Sequence, residues 1–240
     1  MYSNHLHYLP TQTLLYLLAG GLLLVLVTLL EIGILGSAYR RLGLPPRAAM
    51  LVLLASLVGS YLNIPVARLP EAHVVARAFI DGFGMSYLVP QVVDWPGTIL
   101  AVNVGGALIP ALLSIYLVVT NRLFFEAAIA TAIVAIVVHR LATPIPGVGI
   151  AISWFWPPVL AAIAALVLSR RYAAPVAYVA GSLGVLIGAD LTNLDKLQSL
   201  GASVASIGGA GTFDGVFLAG VVAVLLSGIG QRRAASGAPL

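Results

Sequence analysis

The chain has 240 residues, 60% of them hydrophobic and only 8% charged, with a mean hydropathy of +1.06. A soluble domain of this length carries roughly a quarter charged residues, so a large soluble domain is excluded and the class is all-α, a single polytopic bundle of membrane helices. The net charge of +4 comes from eleven arginines and one lysine scattered over loops, which excludes a nucleic-acid patch, and the absence of cysteine excludes disulfides, thiol nucleophiles and thiolate-bound metals.

Taken in chain order, seven segments are apolar enough to span a bilayer, a length of about 20 residues. The first, 13–37, follows a tail with His5 and His7 and contains Glu31 near its end. It has no basic stretch before it and is followed by Arg40 and Arg41, so it reads as a retained helix and not a cleaved signal. The second, 48–66, ends in Gly59-Ser-Tyr-Leu-Asn63-Ile-Pro65. Residues 67–96 then form a long connection in which two β-rich runs flank Asp81-Gly-Phe-Gly84, the pattern of a hairpin.

The third span, 97–119, opens with Asn103-Val-Gly-Gly106 and contains Pro110. A very short turn at Asn121-Arg122 leads to the fourth, 123–139, which carries Glu126 inside it and His139-Arg140 at its end. Pro144-Ile-Pro-Gly147 precedes the fifth, 150–168. The sixth, 174–190, has Gly181, Gly184 and Gly188 along one side, a pattern of close helix packing, and ends in Asp190. A glycine-rich loop, 191–212, contains Asp195 and Lys196; the seventh span, 213–230, opens at Asp214, and a disordered tail is expected over 231–240.

Eight basic residues fall on one side of this arrangement (Arg40, Arg41, Arg47, Arg122, Arg170, Arg171, Arg232 and Arg233) and four on the other (Arg68, Arg77, Arg140 and Lys196). Basic loops stay cytoplasmic, which places the N-terminus outside, the C-terminus inside, and the hairpin on the extracytoplasmic face. The unusual residues then share the outer half. An ionisable group at the edge of lipid is expensive and normally faces protein or a wet cavity, so Asp190 and Asp214 are the leading chemical candidates. Asp214 suits a helix N-terminus, whereas Asp190 at a helix C-terminus has the wrong sign for the dipole. Two carboxyls sharing a proton supply a base that activates water and an acid that protonates the leaving group. That chemistry requires no metal and no cofactor.

Gly211-Thr-Phe-Asp214-Gly-Val-Phe217 resembles the Gly-x-Gly-Asp-x-x-Phe type signature of intramembrane aspartyl proteases, the group of presenilin, signal peptide peptidase and prepilin peptidases. Those enzymes carry one catalytic aspartate on each of two consecutive helices joined by a loop. Pro110-Ala111-Leu112-Leu113 resembles the Pro-Ala-Leu element beside their dyad, although here it precedes both aspartates. Phe213 stands where the signature has glycine, and Ala189 where tyrosine is common. The resemblance implies Asp190 and Asp214 as catalytic residues. Gly211, Pro110, Ala111 and Leu112 of these motifs, with Asn63 and Asn103 from the same outer half, are the expected substrate-binding residues for a membrane-embedded peptide.

Over most of its length the chain is similar to an uncharacterised family of prokaryotic integral membrane proteins, a domain of unknown function. The matching elements are Gly59-Ser-Tyr-Leu-Asn-Ile-Pro, Asn103-Val-Gly-Gly-Ala-Leu-Ile-Pro, Ile187-Gly-Ala-Asp-Leu and Gly208-Gly-Ala-Gly-Thr-Phe-Asp-Gly. This resemblance implies a prokaryotic inner membrane and lipid as the surrounding partner, and it implies no activity. The expected function is therefore an intramembrane aspartyl peptidase. The alternative is a secondary transporter or ion channel, with Asn63 and Asn103 at the broken ends of spans two and three.

Overall fold

The computed structural model describes residues 33–70, 72–82, 85–145, 149–200, 203–209 and 215–236. Most of the first expected span lies outside the described residues, with His5, His7, Glu31, Pro146 and Gly147. Gly211 and Asp214 lie outside them too.

The helices are α1 (Gly33–Arg41), α2 (Pro46–Gly59), α3 (Ile109–Asn121), α4 (Phe124–Leu141), α5 (Trp156–Leu168), α6 (Ala173–Val185) and α7 (Gly215–Ser236). Among the described residues three stretches are long and apolar enough to cross a membrane: Val104–Asn121, Phe124–Leu141 and Ala173–Leu197. The pair α1 and α2, bent by 120° between them, is a fourth candidate, and α5 and the apolar part of α7 are shorter. These apolar helices make the chain a membrane protein. α7 runs on past Gln231, where a disordered tail is expected, as far as Ser236.

α6 is the hub. Of its residues only Leu183 is not buried, as expected for a helix that is apolar all round and enclosed by neighbours. Its glycines permit this contact on two sides. A Cβ at Gly181 would stand 2.7 Å from the carbonyl oxygen of Ala219 in α7, and one at Gly184 would stand 2.6 Å from a Val134 methyl in α4. The small-residue stripe of span six is thus used against two different partners.

The all-α expectation needs correction at the polar end of the bundle. Span two stops being helical at Gly59, and Asn63–Leu69 form a strand, β1. Span three does not begin as a helix either: Thr98–Asn103 are strand β4, and only after a π-helical turn at Val104–Leu108 does α3 begin. β1 and β4 pair antiparallel, and β4 pairs in parallel with β7 (Val204–Ile207), giving the sheet order β1-β4-β7. Pro65 sits in an outer strand beside a register shift, where a missing N–H is tolerated. The β-branched Ile64 and Val66, and Ile99 and Val102, suit this extended backbone.

The expected hairpin is present as β2 (Ala72–Gly82) and β3 (Met85–Trp95), paired antiparallel from Ala72↔Trp95 to Gly82↔Met85. It forms a sheet of its own. A third small sheet joins β5 (Thr143–Ile145) and β6 (Gly149–Ala151), just ahead of α5. The turn between α3 and α4 is as short as Asn121-Arg122 implies, and Arg122 takes the left-handed conformation, φ 55°, to make it.

Candidate functional site

α2 ends, α3 begins, α6 ends and α7 begins at one end of the bundle, and the three-stranded sheet lies there. The turns of the opposite end carry Arg40, Arg41, Arg122, Arg170 and Arg171.

Asn103 is the centre of the polar end and is fully buried. Its side-chain oxygen accepts from the Gly106 N–H at 2.7 Å, capping the π turn in the manner of an N-cap asparagine. Its amide nitrogen donates to the Ser60 carbonyl at 2.7 Å and to Asn63 Oδ1 at 3.1 Å. Asn63 is the register partner of Asn103 across β1 and β4. The Asn63 oxygen also receives the Ser206 hydroxyl at 2.5 Å, so one asparagine pair ties all three strands. Ser206 Oγ lies within 2.7 Å of the Gly209 carbonyl too, and its single proton serves one acceptor at a time.

Backbone-to-backbone approach explains the glycines. A Cβ on Gly105 would overlap the Ser56 carbonyl of α2 and the N–H of Ser60 just beyond it, and one on Gly106 would overlap the Gly208 carbonyl. Ser56 adds a 2.7 Å hydrogen bond to the Gly105 carbonyl. Gly208 and Gly209 both have positive φ, 84° and 80°, which carries the chain out of β7 in a conformation that favours glycine.

Asp190 enters this assembly from α6. The helix widens into a second π turn over Leu186–Asp190. Such turns leave carbonyls short of their usual partners and are frequent at functional sites. The half-buried Asp190 carboxylate accepts the Gly208 N–H through Oδ2 at 2.7 Å. Asn193 is 1% exposed; it donates to the carbonyls of Gly188 at 3.1 Å and Ala189 at 2.9 Å, and its oxygen receives Lys196 Nζ at 2.6 Å. The Thr192 hydroxyl donates to the Gly188 carbonyl at 2.8 Å. His139 Nδ1 lies 2.8 Å from the same hydroxyl. His139 pins α4 to the segment after Asp190. Asp195 is exposed, but Leu191–Leu200, expected as loop, form a 3-10 helix kinked at Asn193.

The structure thus brings together Asn63, Asn103 and, through Gly106 and Gly208, Asp190. Pro110, Ala111 and Leu112 lie in the first turn of α3 after the π turn; Pro110 is buried, while Leu112 is 57% exposed and turned away from the polar cluster. Asn63 and Asn103 are not the ends of broken helices but a cross-strand pair. Ser60, Ser206, Thr192 and Asn193 belong to the assembly without having been singled out from sequence. The signal available for two of them was position: Thr192 and Asn193 follow the helix-ending Asp190 at a spacing from which short polar side chains return to helix carbonyls.

The class defined by these features is a helical membrane protein with a polar, glycine-rich cluster at one end of the bundle, built on a small mixed sheet and the half-buried carboxylate of Asp190. The chain belongs to the family described as protein of unknown function (DUF1614), which matches residues 57–226. That range contains every segment of the polar end, from the last turn of α2 to α7. No curated protein matches the chain, and no solved structure matches it. The resemblance to intramembrane aspartyl proteases gains no support from these comparisons.

Proposed function

We propose that this protein is an intramembrane aspartyl peptidase in which Asp190 and Asp214 form the catalytic pair. The observation that carries the reading is the bond between the Asp190 carboxylate and the Gly208 N–H. It draws Asp190 to the glycine-rich segment that leads, six residues later, to Asp214 at the threshold of α7. Even a fully extended link of that length keeps Asp214 within about 20 Å of the bond. In the reaction one carboxylate takes a proton from water, whose oxygen attacks the peptide carbonyl. The other carboxyl donates its proton, and the C–N bond breaks to leave an acid and an amine.

Three further features support it. Asp190 is half-buried, compatible with access of water to its carboxylate. β7 is an outer strand of its sheet and runs directly into Gly208, so an extended peptide added to that edge passes beside Asp190. Against the ion-site alternative, Asn63 Oδ1 already accepts from both Asn103 and Ser206, which occupies its two acceptor positions.

In this reading the bundle has seven spans in a prokaryotic inner membrane, with the N-terminus and the β2–β3 hairpin outside and the C-terminus in the cytoplasm. An open sheet edge is not tolerated in hydrocarbon unless protein covers it, so the sheet belongs at the aqueous face. The test is to incubate the purified protein in liposomes with a panel of single-span peptides, with and without a transition-state-mimicking aspartyl protease inhibitor. Inhibitor-sensitive cleavage within or beside the apolar segment is expected. A folded protein that cleaves nothing in the panel overturns the proposal.

A further inference from the structure

The strands β2 and β3 of the hairpin are 11 residues each, which at about 3.3 Å per residue makes a ribbon roughly 35 Å long. Residues directly opposite in an antiparallel pair share a face, and successive residues alternate between faces. The register from Ala72↔Trp95 to Gly82↔Met85 therefore sorts the sequence onto two faces. His73, Arg77, Asp81 and Asp94 all occupy positions on one of them. The other carries Val74↔Val93, Ala78↔Val89 and Ile80↔Tyr87, with Trp95 at the foot and Gln91 as its one amide. Apart from Gln91 this second face is apolar or aromatic along the whole ribbon, about 350 Å² for two strands, a patch of the size that marks an interaction surface.

The position of the hairpin says what covers that face. Among the described elements it packs appreciably only on the 3-10 helix Leu191–Leu200, and through β2 alone. Its foot is held at the polar end of the bundle, since two residues join β1 to β2 and two join β3 to β4. Gly97, at φ 100°, closes the foot so tightly that a Cβ there would stand 2.5 Å from the Leu69 carbonyl oxygen. That same end carries the residues that mark a membrane–water boundary, tryptophan and tyrosine. All three tryptophans of the chain lie there: Trp95 at the hairpin foot, and Trp154 and Trp156, 78% and 50% exposed, where α5 begins. Tyr61, 76% exposed, follows α2 at this level.

We infer that the hairpin is a membrane-surface element whose apolar face lies on the bilayer leaflet at the polar end of the bundle. A ribbon with open edges must keep its backbone groups hydrated, so it rests among the head groups and does not enter the hydrocarbon. The opposite face sets two aspartates against one arginine and one histidine, so it has no excess of positive charge for anionic lipid. Attachment rests on apolar burial and aromatic rings. The inference is independent of the peptidase reading.

The chain has no cysteine, so a nitroxide can be placed at one position at a time in the full-length protein. Leu88→Cys, Val89→Cys, Val92→Cys and Val93→Cys sample both faces of β3. Each labelled protein is reconstituted in phosphatidylcholine vesicles, and collisions with oxygen, which concentrates in lipid, are compared with collisions with a water-soluble nickel chelate. Labels at Val89 and Val93 are expected to favour oxygen and labels at Leu88 and Val92 the chelate. Replacing part of the lipid by phosphatidylglycerol should leave this alternation unchanged. Ala78→Asp, directly opposite Val89, should shift the Val89→Cys label toward the chelate while the melting temperature stays unchanged. Preference for the chelate at all four positions would place the hairpin in water. Shielding of Val89 and Val93 from both reagents would mean that protein covers the face, a second copy if spin–spin broadening is lost on dilution with unlabelled protein. Either result, or an alternation present only with phosphatidylglycerol, overturns the inference.

Discussion

Asn103 donates its side-chain amide to Asn63 directly across β4 and β1, and the same Asn63 oxygen receives the hydroxyl of Ser206 from β7. One cross-strand pair therefore holds three segments that are distant in sequence. The two asparagines are unequal, since Asn103 is fully buried and Asn63 exposed. Asn103→Ala leaves the Gly106 N–H and the Ser60 carbonyl without their partner, and each such buried group costs about 1–3 kcal/mol. We expect Asn103→Ala to destabilise the protein by roughly 2–4 kcal/mol and Asn63→Ala by less than about 1 kcal/mol, read from unfolding in mixed detergent. The double variant should be less than additive, because the two share a bond. Equal losses for the two single variants would contradict the unequal roles.

Glycine offers a sharper comparison. Gly43 and Gly208 have the same φ of 84°, but a Cβ at Gly43 meets nothing within 4 Å, whereas one at Gly208 stands 2.5 Å from the Ala107 backbone nitrogen. Gly43→Ala should cost only the backbone term of about 1–2 kcal/mol. Gly208→Ala adds a collision with backbone that cannot move aside, and should prevent accumulation of folded protein in the membrane. Size-exclusion profiles and melting temperatures of the two variants decide the matter, and similar behaviour would show that the approach of Gly208 to the π turn is dispensable.

The helices were legible because lipid imposes one requirement on every residue of a span: it must be apolar. That requirement marked the positions of α4, α5, α6 and α7 in the sequence, and the tight turn at Arg122 followed from the lack of residues to make a longer one. The same apolarity concealed β1 and β4. Ile64, Val66, Ile99 and Val102 are as hydrophobic as a helix demands, so a strand that abuts a span cannot be separated from it by hydropathy. The β-branched bias was the weaker cue. Asn63 and Asn103 stand out in the sequence as amides in apolar stretches, but their pairing depends on a register that no spacing in the sequence encodes. Asp190 was found because charge is rare here; its Gly208 partner was not, because a backbone N–H leaves no mark in sequence.

Orientation is open to a direct test because the chain has no cysteine of its own. Ser3→Cys and Gly237→Cys, made singly, need no background substitution. The excess of basic residues at Arg40, Arg41, Arg170, Arg171, Arg232 and Arg233 predicts that a membrane-impermeant maleimide labels Ser3→Cys in intact cells and Gly237→Cys only after lysis. Labelling of both from the same side would require an even number of spans.

The segment after Asp190 makes its own prediction. Asn193 and Thr192 satisfy carbonyls left open where α6 widens, and His139 holds Thr192 from α4. Asn193→Ala removes two buried bonds and should cost about 2 kcal/mol. His139→Ala removes a support one step further out, at a half-buried position, and should cost less than about 1 kcal/mol. Hydrogen exchange localises the effect: faster exchange confined to residues 186–197 is expected in Asn193→Ala. Protection that is unchanged there would mean that the widened turn holds itself.

The aspartates can be separated by the chemistry that asparagine keeps and loses. Asp190→Asn retains an oxygen that can accept the Gly208 N–H, so the bond that positions the glycine segment survives while the ionisable group is gone. Asp190→Leu removes both. If Asp190 serves only to hold Gly208, Asp190→Asn should behave as the unaltered protein and Asp190→Leu should be unstable. If Asp190 also performs catalysis, Asp190→Asn should fold with a melting temperature close to that of the unaltered protein and lose cleavage of a membrane peptide by at least about a thousandfold, as removal of a nucleophile-activating group does. Asp214→Asn should lose as much, and the double variant no more than either, because groups acting as a unit fail together. Cleavage that persists in folded Asp190→Asn protein would leave Asp190 a structural staple and remove it from the catalytic pair.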